Sequence, residues 1–165
     1  MTHRGIRLGN LFFTDMAHQQ FVIGEGATAP PGYDQPVIYE PIPQGMAMRE
    51  GRGSGTVETD LYALGVTILV LMVGRNPVAN LGDKEILRAK ITQGSYQALA
   101  AGYRLPLQVL EILRSLLNDD PAQRWDMEPL ELWLTGQRLS PIQTKPAIQA
   151  QRPFPLIRSR IPQYL

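Results

Sequence analysis

Two short apolar runs, Leu11-Phe12-Phe13 and Phe21-Val22-Ile23, flank the polar stretch 15–20. Runs of this length, rich in aromatic and β-branched residues and separated by a polar turn, predict two brief strands joined as a hairpin. The pattern then changes. From 24 to 55, prolines at 30, 31, 36, 41 and 43 and repeated glycines exclude a long helix or a central strand, leaving a long loop. Connections of that length inside a compact domain usually carry function.

Past residue 55 the hydrophobic spacing is helical. Thr56 or Thr59 is placed to cap a helix whose first turn holds Glu58 and Asp60, negative charges that the helix dipole favours there. Apolar residues Leu61, Leu64, Val66, Ile68, Leu69, Val70, Leu71 and Met72 occupy its whole circumference, which predicts a buried central helix running to about Val73. Gly74 and Pro77 end it. Three further helices are predicted over 83–93, 106–118 and 127–135, punctuated by Gly94, Pro121 and Gly136. The prolines at 141, 146, 153, 155 and 162 make 138–165 an extended Pro-rich tail by pattern. The predicted fold class is therefore mainly α, with a short β-hairpin near the N-terminus.

Composition narrows the function classes. With 165 residues, 44% of them hydrophobic, the chain suits one domain with a helical core. A net charge of only +1 argues against a nucleic-acid partner, and the tail arginines 138, 152, 158 and 160 with Lys145 are too sparse to change that. The chain has no cysteine, which removes disulfides, zinc-thiolate sites and thiol nucleophiles. No secretory pattern is visible at the start, and the stretch 61–73 falls short of the roughly 20 apolar residues that cross a bilayer, so a cytoplasmic location without a membrane span is the expectation.

Three motifs, in order, carry a family resemblance. His3-Arg4-Gly5-Ile6-Arg7-Leu8-Gly9-Asn10, followed directly by strand-like Leu11-Phe12-Phe13, resembles the protein-kinase catalytic loop His-Arg-Asp-x-x-x-x-Asn. Val22-Ile23-Gly24-Glu25-Gly26 then falls where kinases place Asp-Phe-Gly. Asp60-Leu61-Tyr62-Ala63-Leu64-Gly65-Val66 resembles the buried kinase helix that begins with an aspartate, and Gly74-Arg75-Asn76-Pro77 the turn that closes it. Leu116-Leu117-Asn118-Asp119-Asp120-Pro121-Ala122-Gln123-Arg124-Trp125 is similar to the segment before the last kinase helix, in which an arginine forms a structural ion pair. The resemblance covers residues 3 to about 136. It implies a protein-kinase-like C-terminal lobe over 1–137, with the tail outside it.

Residue by residue, the resemblance implies a degenerate site. The loop aspartate of kinases accepts the substrate hydroxyl proton, while the loop asparagine and the Asp-Phe-Gly aspartate hold magnesium against the phosphates. Gly5 stands at the base position and has no side chain, which forfeits roughly 10²–10⁴-fold in rate. Asn10 and Glu25 match the two metal positions, and Arg7 matches the phosphate-facing lysine with a forked guanidinium in place of a point charge. His3, Arg4, Asp60 and Arg124 are implied to be scaffold, with Arg124 paired to a carboxylate of the long loop, Glu40 or Glu50. Magnesium and ATP are cofactors only of a complete protein. Only Met1 and Thr2 precede the loop, so a Gly-rich phosphate-covering loop, a strand lysine and its partner glutamate would come from an N-terminal lobe elsewhere.

The remaining chemistry-bearing residues have plainer readings. Trp125 and Trp133 read as packing, His18 as a turn residue, and Thr28, Tyr33 and Tyr39 as loop hydroxyls outside any recognisable modification site. The leading expectation is a pseudokinase-type module with a regulatory or binding role, served by a protein partner or an N-terminal lobe. An atypical serine/threonine kinase of low activity is the first alternative, since phosphoryl transfer depends chiefly on positioning and electrostatics. A free-standing helical interaction domain, docking through prolines near Phe154, Leu156 and Ile157, is the second.

Overall fold

The computed structural model describes residues 2–15, 17, 20–24 and 35–137. Glu25, Thr28, Tyr33, His18 and the whole 138–165 tail lie outside the described residues. Strands β1 (Leu11–Asp15) and β2 (Gln20–Ile23) pair antiparallel, with Leu11 opposite Ile23, Phe12 opposite Val22 and Phe13 opposite Phe21. After them come α1 (Ile42–Met46), α2 (Val57–Val73), α3 (Asp83–Gln93), α4 (Ser95–Ala100), α5 (Leu107–Leu116) and α6 (Met127–Leu134). The described part is mainly helical with one short hairpin, as the hydrophobic pattern predicts.

Helix α2 is the axis of the packing. Thr56 and Thr59 cap its start reciprocally: the Thr59 N–H donates to the Thr56 hydroxyl, and the Thr56 N–H donates to the Thr59 hydroxyl at 3.0 Å. Gly74 closes it in the left-handed conformation, φ 75°, which a side chain resists. Because α2 is apolar on all sides, it is buried on two. On one, Tyr62, Val66, Leu69 and Val70 join Val37, Ile38, Ile86, Leu99, Leu113 and Leu117. On the other, Leu61 joins Ile112, Leu116 and Leu130, with Trp125 and Trp133 packed alongside. Gly65 lets α5 approach: a Cβ there would lie 2.9 Å from the Leu116 Cβ.

The differences from expectation sit at boundaries and in the proline-rich stretch. Helices α5 and α6 are each slightly shorter than the spacing predicts, and α4 restarts directly after Gly94, which the pattern read only as a stop. What permits the restart is remote in sequence, since the Asp119 carboxylate accepts the Ser95 N–H at 2.7 Å together with the Ser95 hydroxyl. Within 35–55 the chain makes a 3-10 turn at Val37–Tyr39 and the short α1, where Pro41 precedes the helix and Pro43 falls in its first turn. The hairpin is exposed on both faces, Phe13 at 62% and Phe12 at 54%. Among the described residues no helix is long and apolar enough to cross a membrane.

Candidate functional site

The loop from His3 to Asn10 is held to α2 from the first residues of the helix onward. The Asp60 carboxylate accepts the backbone N–H of His3 at 2.6 Å and of Arg4 at 2.9 Å, across 57 and 56 residues of sequence. Two turns further along α2, the Thr67 hydroxyl donates to the Ile6 carbonyl at 3.1 Å. A 3-10 turn, Leu8–Asn10, then feeds β1, and the Gly24 N–H returns to the Asn10 carbonyl at 2.7 Å, so the hairpin closes on the loop. His3, Arg4 and Asp60 are thus brought together at the start of α2.

Arg4 is the pivot of this arrangement. Among the described non-glycine residues it alone has a positive φ, 60°, a conformation that costs on the order of 1 kcal/mol or more and persists only when neighbours enforce it. The neighbours here are Asp60 at its backbone and Glu40 at its guanidinium. Its two terminal nitrogens donate to the two Glu40 oxygens at 2.8 and 3.2 Å, and both residues are buried. Arg52 stands 3.9 Å from the same carboxylate. Burial still pushes the Glu40 pKa upward, with Arg4, Arg52 and Lys90 opposing it.

Gly5 is closely packed, and a side chain there would need its neighbours to give by a few tenths of an ångström. A Cβ on Gly5 would meet the Asn10 side-chain nitrogen at 3.0 Å and the His3 ring at 3.3 Å. Asn10 is itself buried, and its amide donates to the Gly5 carbonyl at 2.8 Å. Of the two metal positions implied by sequence, Asn10 donates through its side-chain nitrogen to the Gly5 carbonyl, a bond that leaves the amide oxygen uncommitted, and Glu25 lies outside the described residues. Among the described residues no three of His, Cys, Asp or Glu come together as a metal site. Arg7 lies near Tyr39, whose hydroxyl bonds the Leu8 backbone; burial pushes the Tyr39 phenol up while these two contacts pull it down.

Arg124 departs from its expected partner. Its guanidinium donates to the Asn118 carbonyl at 2.9 and 2.7 Å and to the Glu58 carbonyl at 3.2 Å, and stacks 5.2 Å from the centre of the Tyr62 ring. Glu40 is taken by Arg4 instead. Arg124 thus still ties the 118–124 segment to the start of α2, through carbonyls in place of a loop carboxylate. Burial draws its pKa down.

One contributor escapes sequence reasoning. Lys90, wholly buried, donates to the carbonyls of Val37 at 2.9 Å, Ile38 at 2.9 Å and Glu40 at 2.8 Å, and sits 5.0 Å from the Tyr62 ring centre on α2. The available signal was its spacing: Lys90 lies four residues after Ile86, on the apolar face of α3. Glu40, one of the two loop carboxylates the sequence offers to Arg124, is found on Arg4 instead. In comparisons with known proteins, no family model matches the chain and no curated protein matches it in sequence.

Proposed function

We propose that the chain is a pseudokinase-type module: a protein-kinase-like C-terminal lobe that serves a regulatory or binding role without efficient phosphoryl transfer. The observation that carries this reading is the contrast within one loop. Asp60 gathers the His3 and Arg4 amides as a scaffold aspartate should, while Gly5 lacks a side chain and the space beside it is filled by Asn10 and His3. The scaffold role is kept and the acid–base role is empty. A binding role is supported by the hairpin, whose Phe12, Phe13, Phe21 and Val22 are each at least half exposed on a two-stranded unit that is marginal on its own. In this reading that surface receives a protein partner or an N-terminal lobe, from this polypeptide or another.

The test is phosphate transfer from magnesium-ATP to a generic protein substrate, with nucleotide binding followed in parallel on the longest natural form of the protein. The expected result is no transfer above background. Robust transfer that disappears in Asn10→Ala would overturn the proposal in favour of an atypical serine/threonine kinase.

A further inference from the structure

Glu40 is held at both ends of the residue by different parts of the fold. Its carbonyl accepts from Lys90 of α3, and its carboxylate accepts from Arg4 of the N-terminal loop. Neither anchor is solvent-screened, since Glu40 and Lys90 are wholly buried and Arg4 is 5% exposed. The Lys90 ammonium has three N–H donors and spends all of them on the segment, on residues 37, 38 and 40. The Val37 and Ile38 side chains are packed in the same core as Ile86 of α3. The segment 37–40 therefore follows α3 in both backbone and side chains.

From these contacts we infer that Val37–Tyr39 and Glu40 form a coupling element through which the position of α3 is transmitted to the His3-Arg4-Gly5 loop. The loop is the receptive partner because Arg4 holds a strained backbone conformation that relaxes when either of its anchors is lost. Asp60 anchors the Arg4 backbone and Glu40 its side chain, so a shift of Glu40 leaves a buried guanidinium without its counter-charge. Coupling of this kind is reciprocal, so a change at either end is felt at the other.

The experiment is amide hydrogen exchange on the whole chain, comparing wild type with Lys90→Met, Glu40→Gln and the double variant. The reporters are the His3 and Arg4 amides, which Asp60 accepts. Lys90→Met is expected to speed exchange at both by about tenfold, a middling energy for residues linked through one network, and the double variant by less than the product of the singles. Acceleration confined to 37–41, or effects that multiply independently, would overturn the inference. Should Lys90→Met fail to fold, the near-isosteric Glu40→Gln decides alone through reciprocity: it must speed exchange within 86–93 as well as at 3–5, and a response at 3–5 only rejects the coupling.

Discussion

The Asn10 side-chain amide donates to the Gly5 carbonyl at 2.8 Å and would stand 3.0 Å from a Cβ on that glycine, so the two residues are packed as a matched pair. The absence of a side chain at position 5 is thus built into the loop's packing. Gly5→Asp is expected to lose about 1–3 kcal/mol of stability by overpacking and to gain no phosphotransfer. Urea denaturation checks the first part and a magnesium-ATP assay the second; an active, equally stable variant would show that the loop reopens freely.

The Asp60 carboxylate accepts two backbone donors of the loop. Asp60→Ala leaves the His3 and Arg4 N–H groups without it, a loss of roughly 2–4 kcal/mol if each part-buried donor costs what unsatisfied groups usually do. Asp60→Asn, which keeps a carbonyl oxygen but turns a donor toward one amide, is expected to fall between wild type and Asp60→Ala. Denaturation midpoints for the three proteins give the order directly.

Much of this architecture was legible in the chain because it depends on local periodicity. The ring of apolar residues on α2, the threonines before it and Gly74 after it predict that helix almost to the residue. The hairpin follows equally from two apolar runs across a polar turn. What escaped is what depends on remote partners: α4 begins where it does because of Asp119, 24 residues on, and Glu40 meets Arg4 across 36 residues. At the candidate site, motif order placed His3, Arg4 and Asp60 together, but no spacing rule reveals that Arg124 bonds carbonyls while Arg4 takes the buried carboxylate. Partner choice among several arginines and glutamates is decided by packing in three dimensions.

Burial draws the Lys90 ammonium from its ordinary 10.5 down to about 7, against the carboxylates of Asp119 and Glu40, which pull the other way. Between those pH values the folded protein has released a proton that the unfolded chain retains, so unfolding takes one up and this group's contribution to stability rises with pH across the window. Below about 7 both states are charged and the contribution stays at its minimum. The wild type is therefore expected to gain in urea midpoint relative to Lys90→Met between about pH 6.5 and about pH 9. Parallel behaviour of the two proteins would mean that the three carbonyls hold the proton as firmly as water does.

Gly65 sits where α2 and α5 touch most closely, with a hypothetical Cβ 2.9 Å from the Leu116 Cβ and 3.1 Å from a Leu117 methyl. The Leu116 Cβ moves only with its backbone and Leu117 is wholly buried, so Gly65→Ala must separate the helices. Two opposing terms act: alanine favours a helix interior by about 1 kcal/mol over glycine, while overpacking a closed core costs about 1–3 kcal/mol. The packing term is the larger here because Leu116 is wholly buried and belongs to the cluster with Leu61, Ile112 and Leu130. Net destabilisation is expected, and Leu116→Ala, harmful alone through its cavity, should recover less than the sum of the two losses when combined with Gly65→Ala only if the Cβ contact is relieved by yielding of α5. Since truncating leucine leaves the Leu116 Cβ in place, the double variant is instead expected to be additive, and a marked rescue would show that the outer Leu116 atoms, and not its Cβ, set the distance between the helices.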